Sequence, residues 1–419
     1  MDAAIYGASA LICGGVALFA SIPLYREVGR IGAGPYAAGA LLALWLARRR
    51  PSLRARFVLA ALVVAGALIV PLSLEVSWRA HTSPGLHVQS EAIITEEAAK
   101  ALVHGHDPYA ATYLHGPLSA RPIGTKTHFP YLPAMLVFGI PRAAMGRFPL
   151  GDARIAFTVV ALALVAAIAW GRRQAGDPYD NEPLIDPSLR LAQALVLVPT
   201  GALLLASGGD DVPVAVLTVL ALALALRGKP SWSGAVGGLA AAMKQTAWVL
   251  LPFLVVGLWR TRGRAAGKRS ALAMAAVVLP IVVPFVAWNP GAFFEDVVRF
   301  PLGLGRQPSA AETPTLGSLL VHAAPSARTT ITLLLGGVVL AVALLLLLVN
   351  PPASIAGAAV RAAVVFLLSM ALSPAARIGY VVYPVDLLAW AWLARRSAGP
   401  TAEPTPALPR TGDAQVPAG

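Results

Sequence analysis

The chain has 419 residues, of which 57% are hydrophobic and only 13% charged, and its mean hydropathy is +0.70. A soluble chain of this length needs far more charge to cover its surface, so an ordinary globular enzyme is excluded. The formal net charge of +13 does not mark a nucleic-acid binder, because the arginines fall in short clusters just after apolar runs rather than along one basic face.

Apolar runs at 4–21, 32–47, 57–74, 155–170, 191–206, 212–226, 233–243, 246–258, 271–288, 330–349, 355–372 and 380–393 predict an all-α, polytopic membrane bundle of about 12 spans filling residues 1–396. The first run has no basic segment before it and another span soon follows, so it reads as a retained helix rather than a leader. Cys13, the single cysteine, lies in that run; an intrachain disulfide or a cysteine metal site is impossible. Arg48, Arg49, Arg50, Arg54 and Arg56 fall between the second and third runs. Arg172 and Arg173, Arg227 with Lys229, the cluster from Arg260 to Arg269, and Arg395 with Arg396 all land on the same side as these. That side is the cytoplasm by the positive-inside rule, with both termini in it. Residues 397–419, rich in Pro, Ala and Thr, read as a disordered cytoplasmic tail. The Ala- and Arg-heavy composition suggests a GC-rich bacterial source, which fits a protein of the inner (plasma) membrane.

The segment 131–146 is apolar but short, and carries Pro133 and Pro141. At about 1.5 Å per residue it reaches only about 22 Å against about 30 Å of hydrocarbon. It reads as a juxtamembrane or re-entrant helix, with a kinked crossing as the alternative. The polar segments 76–130, 207–211, 289–328 and 373–378 then share the extracytoplasmic side, where the chemistry is expected.

The first of these loops holds His81, His87, His104, His106, His115 and His128, with Glu91, Glu96, Glu97 and Asp107. His104 and His106 are two apart and do not share a helix face, so no metal spacing is evident, and neither metal nor cofactor is expected. Residues 91–103 predict an amphipathic helix ended by Gly105. Glu91 at its start is either a general base or an acid favoured by the helix dipole. In Ser207-Gly208-Gly209-Asp210-Asp211-Val212-Pro213, one carboxylate is explained as a helix cap and the second is left over for function. Lys244 is one of five lysines and interrupts two short apolar runs. A charged Lys there needs an aqueous cavity and suits a phosphate headgroup arriving from the bilayer. Arg299, Arg306 and Arg377 are further outer-loop anion ligands, or interfacial anchors. Asp386, inside the last run, is read as paired rather than catalytic.

Gly105-His106-Asp107-Pro108-Tyr109, followed by His128-Phe129-Pro130-Tyr131-Leu132-Pro133, resembles the G-x-D-P-Y … Y-P-P-L pattern of glycosyltransferase family 87. These are multi-spanning GT-C enzymes that use polyprenol-phosphate sugars. Gly237-Gly238-Leu239-Ala240-Ala241-Ala242-Met243-Lys244-Gln245-Thr246 is similar to the family's G-L-A-A-x-x-K-P-T segment, and Asp211-Val212-Pro213-Val214 to the D-x-P-L motif of related enzymes. The likeness runs from about residue 91 to 258. The family's presumed base, usually Asp, stands fourteen positions before the motif glycine, where this chain has Glu91. Its G-Q-x-N segment is replaced by Gly208-Gly209-Asp210-Asp211.

The resemblance implies a mannose-like transfer from a polyprenyl-phosphate-linked sugar, at the face of the lipid bilayer, to a glycan or glycolipid acceptor. Catalysis is then expected from Glu91 with Asp210 and Asp211. Lys244, Arg306 and Arg377 would hold the donor phosphate, and Asp107, Tyr109 and His128 would face the acceptor. The rivals are a lipid or polysaccharide transporter, which predicts paired repeats and short loops on both sides, and a non-catalytic envelope-assembly protein.

Overall fold

The computed structural model describes residues 1–174, 186–307, 309, 311 and 313–397, all in helices and connecting loops with no strand among them. The N-terminal part comprises α1 (Asp2–Phe19), α2 (Pro23–Ala47) and α3 (Leu53–His81), the last carrying one π turn at Ala65–Ile69. These three helices share a small core of Tyr6, Cys13, Tyr36, Leu59 and Val63. Asp2 ties them at one end, pairing with Arg56 at 2.7 Å and with Arg190.

The loop beyond α3 contains α4 (Ser90–Val103), one residue longer at its start than the sequence predicts. Gly105, at φ +78°, ends it as expected. Its N–H donates to the Leu102 carbonyl and that of His106 to the Ala101 carbonyl, the paired bonds of a Schellman stop. The apolar segment that follows forms α5 (Pro133–Met145), a 3-10 turn joined to one and a half turns of α-helix. Gly139 at the joint lies so close to α4 that a Cβ there would stand 2.2 Å from the Thr95 carbonyl oxygen.

Then come α6 (Ala153–Gln174), α7 (Pro187–Leu197), α8 (Pro199–Ser207), α9 (Asp211–Leu226), α10 (Pro230–Met243), α11 (Leu251–Arg262) and α12 (Arg264–Trp288). The chain closes with α13 (Leu316–Ala323), α14 (Arg328–Leu348), α15 (Ile355–Leu372) and α16 (Val382–Ser397). Helix α9 is the axis of the main core: all its residues except Leu220, Leu224 and Leu226 are buried, against α6, α10, α15 and α16. By contrast α12 and α14 bury almost nothing and expose rows such as Leu272, Leu279, Val283 and Leu333, Leu334, Leu340. Apolar rows of this length are stable only against lipid.

Among the described residues six helices are long and apolar enough to cross a bilayer, or seven if the pair Pro187–Leu197 and Pro199–Ser207, bent by 42°, is one span. The twelve apolar runs of the sequence therefore do not become twelve full-length helices. Pro199 breaks one run, and α9, α10 and α11 have 16, 14 and 12 residues, or about 24, 21 and 18 Å at 1.5 Å per residue. Helix α2 is long enough, but its charged first turns, glycines and Pro35 dilute its apolarity. The expected disordered tail falls, but for Ser397, outside the described residues.

Candidate active site

The site is assembled where short helices stop inside the bundle. Helix α4 is docked by its first turn: the Gln89 N–H donates to the Ser207 carbonyl at 2.9 Å, and its side-chain amide to Ser207 Oγ at 2.5 Å. Its middle is held by a buried ion network, in which Arg79 meets Glu96 at 2.6 Å and Asp152 at 2.7 Å, while Arg154 meets Asp152 at 2.8 Å. Charges taken out of water in this way hold one arrangement, because breaking any pair leaves a charge buried alone. The docking sets Glu91, which is 4% exposed, beside the turn between α8 and α9.

Lys244 enters the same place from the break between α10 and α11, where its backbone is extended and its N–H ends α10 on the Ala240 carbonyl. The ammonium lies 2.5 Å from Asp210 Oδ1 and 2.6 Å from Asp211 Oδ1, and is only 2% exposed. The rings of Tyr131 and Tyr380 lie 5.0 and 5.4 Å from it, a cation–π environment. The Tyr383 hydroxyl donates to Asp211 Oδ1 at 2.9 Å and accepts from Thr246 Oγ1 at 2.6 Å. Gln245 Nε2 donates to the Pro130 and Val297 carbonyls, which fixes the Pro130–Tyr131 stretch over the break. Arg377 completes the cluster, with Nη1 at 2.7 Å from Glu91 Oε1. Three carboxylates thus share two cations. Burial pushes the Asp210 carboxyl up against the pull of Lys244, and the carboxylates of Glu91 and Asp211 add to the push.

Lys244, Arg377, Tyr131, Gln245 and Thr246 line part of a cavity of about 400 Å³. Its other walls are mostly apolar, with Leu335, Gly336 and Val339 of α14 and Phe366 and Met370 of α15, and they also carry the hydroxyls of Thr332 and Ser369. Glu91 lines a separate space of about 20 Å³ with His128, room for about one water molecule. Pro130, Tyr131, Phe300 and Arg377 border both spaces and form the partition between them.

The model of glycosyltransferase family 87 matches residues 129–374, well over half of the chain. The chain belongs to glycosyltransferase family 87. It is a membrane glycosyltransferase, with a sugar donor and a glycan acceptor as its partners. No curated protein matches the chain. The matched stretch contains Tyr131, Asp210, Asp211 and Lys244, whereas Glu91 and Arg377 lie on either side of it and reach the cluster only through the fold.

Of the residues expected in a family 87 site, the fold brings together Glu91, Asp210, Asp211, Lys244 and Arg377. His128 stands at the edge of the Glu91 space, its ring stacked 4.1 Å over Phe300. Burial lowers its pKa, opposed by the Gly124 carbonyl and Glu295. Tyr109 is buried, and its hydroxyl donates to the Tyr131 carbonyl at 3.0 Å, supporting the wall of the cavity. Asp107 is not at the cluster. It turns the chain by accepting from the Tyr109 N–H at 2.9 Å, and lines an open groove with Glu97, Lys100 and His104. Arg306 is exposed and lines neither space; its backbone N–H donates to Glu295 Oε1 at 2.6 Å.

Sequence reasoning missed Tyr380, Tyr383 and Asp296, and named Tyr131 and Gln245 only as members of motif stretches, without a role. Asp296 Oδ2 accepts from the Phe129 N–H at 2.7 Å and so holds the motif stretch 129–131 in place. The acidic pair Glu295-Asp296 in an otherwise apolar stretch was its one available signal. Glu91, Asp210 and Asp211 also present oxygens within 4.8 Å of one another, the spacing of a cation site. The Lys244 ammonium already stands between the two aspartates where such an ion would bind, so the cluster does not fit a metal.

Proposed function

We propose that this enzyme transfers one mannose-like sugar from a polyprenyl-phosphate donor to a glycan or glycolipid acceptor of the cell envelope, with inversion at the anomeric carbon. The observation that carries this reading is one cavity lined both by Lys244 and Arg377 and by apolar residues of α14 and α15. A polyprenyl-phosphate sugar needs both ends at once: cations for the phosphate and an apolar wall for the prenyl chain. The weakly packed α14 gives the chain a way in from lipid.

In this mechanism the donor phosphate takes up Lys244 and draws Arg377 off Glu91. Glu91 then accepts the proton of the acceptor hydroxyl. The acceptor oxygen bonds to the anomeric carbon as the bond from that carbon to the phosphate oxygen breaks. The electron pair leaves with polyprenyl phosphate, whose charge Lys244 and Arg377 stabilise. Asp210 or Asp211, released from Lys244, binds the acceptor or shares the proton.

The enzyme domain is 1–396, in the inner (plasma) membrane of a bacterium. The short and broken helices complete about 12 passes, both termini are cytoplasmic, and the loops 76–130 and 289–328 with the short helix at 131–146 form the extracytoplasmic active face. The sidedness of the five Arg and Lys clusters supports this orientation.

A polyprenyl phosphate with a photoreactive group in its prenyl chain tests the donor assignment. The reading expects crosslinks in peptides of α14 and α15, suppressed in Lys244→Met. Labelling confined to other helices, or unchanged by Lys244→Met, overturns it.

A further inference from the structure

We propose that Glu27, Glu75 and His87 form a binding site for a divalent transition-metal ion such as Zn²⁺, separate from the sugar-transfer site. The three come from the start of α2, the last turns of α3 and the loop leading to α4, and their ligand atoms lie within 4.8 Å of one another. His87 Nδ1 is 3.1 Å from Glu75 Oε2 and 3.4 Å from Glu27 Oε2. Ligands held about 2.0–2.1 Å from a tetrahedral zinc stand roughly 3.3–3.4 Å apart, so His87 stands close to ligand spacing from both carboxylates.

A second observation points to a missing partner. Glu75 is fully buried, with 0% exposure, and its Oε1 has no hydrogen-bond partner. A buried carboxylate left so is costly unless a cation meets it. Arg154, whose charge reaches Glu75, has its guanidinium on Asp152 and on the carbonyls of His87 and Ala206. Among the described residues the side chains that meet Glu75 are the His87 imidazole and the Glu27 carboxyl, and neither brings it a fixed positive charge.

The backbone holds His87 ready. Its φ of +59° is a left-handed conformation uncommon for histidine, and the 2.6 Å bond from Arg154 to its carbonyl holds the residue there. Glu27 and His87 keep 38% and 23% side-chain exposure, which leaves an open side for entry and for a water ligand. An ion here ties α2 to α3 and pins the loop three residues before α4, the helix that carries Glu91. All three ligands precede the stretch matched by the family model, so the site is a feature of this chain's N-terminal part.

The test uses tag-free, full-length protein in detergent, stripped with a chelator and dialysed against Zn²⁺, with bound metal counted by mass spectrometry. The expected result is about one Zn²⁺ per chain, with affinity reduced at least about tenfold in Glu27→Gln and in His87→Asn and unchanged in Asp210→Asn. Zn²⁺ should also raise the thermal midpoint of the wild type and of Glu91→Gln but not of Glu27→Gln, a readout that checks folding. No bound Zn²⁺ would mean that the two glutamates and His87 merely share protons. Equal binding by Glu27→Gln and His87→Asn, or loss in Asp210→Asn, would place the ion elsewhere. Each of these overturns the proposal.

Discussion

Lys244 concentrates both the stability and the chemistry of the site on one side chain. Replacing it by Met leaves Asp210 and Asp211 buried without their cation, a loss of about 3–5 kcal/mol for a broken buried pair. Lys244→Met should therefore lower the thermal midpoint in detergent, and Asp210→Asn added to it should recover part of that loss while transfer stays abolished. Recovery of transfer in the double variant would show that Lys244 only balances charge. Glu91→Gln keeps the shape and an acceptor for Arg377, so it should fold and insert normally while transfer falls by about 100-fold or more. A third prediction concerns Asp296, whose carboxyl burial pushes up to about 8, against the Phe129 N–H that favours its charge. The folded state then holds a proton that the unfolded chain releases near pH 4, so stability falls as pH rises from about 4 towards 8. His128, lowered by burial, acts with the opposite sign below about pH 6.5. Melting curves between pH 6.5 and 8.5 should show the midpoint dropping in the wild type and dropping less steeply in Asp296→Asn. The five charged residues of the cluster were legible in the sequence because charge is scarce in so apolar a chain. Tyr380 and Tyr383 were not, since aromatic residues near helix ends are ordinary in membrane proteins. Glu27, Glu75 and His87 come from three separate segments, and no local spacing announces them.

Helix α4 was legible because its signals are local: an acid in the first turn, an apolar face and Gly105 in the left-handed conformation at its end. What no local signal carries is where α4 docks. Its position rests on Gln89 against Ser207, on the Arg79–Glu96–Asp152 network, and on Gly139 of α5, which packs on the Thr95 carbonyl. Gly139→Val should push α5 off α4, because a Cβ would already stand 2.2 Å from that oxygen. The expected result is faster proteolysis within 76–130 and reduced transfer, with the spans still inserted. Unchanged proteolysis and activity would show that α4 is held without α5. The exposed groove at Asp107 accounts for a motif that the sequence placed at the acceptor: Asp107-Pro108-Tyr109 first builds the turn and the Tyr109 bracket.

For the whole molecule, hydropathy foresaw an all-helical membrane protein but not the lengths of its helices. Apolar runs count hydrophobic residues; Pro199, the break at Lys244 and the stop at Gly263 decide where the hydrogen-bond ladder ends. The short helices α8 to α11 end inside the bundle, where their termini present Asp210, Asp211 and Lys244 to one another. A bundle of uniform full-length spans would place those charges at the membrane faces and leave no shared cavity. The apolar flank of the cavity comes from α14 and α15, more than 80 residues beyond Lys244, and only the fold relates it to the charged end. The central claim is that this charged and apolar cavity serves a lipid-phosphate sugar. Purified protein offered a panel of radiolabelled polyprenyl-phosphate sugars beside nucleotide sugars tests it most directly. The account predicts release of label, by transfer or slow hydrolysis, from a polyprenyl-phosphate sugar alone, and its loss in Glu91→Gln and Lys244→Met. Turnover of a nucleotide sugar instead, or equal turnover by both variants, would contradict it.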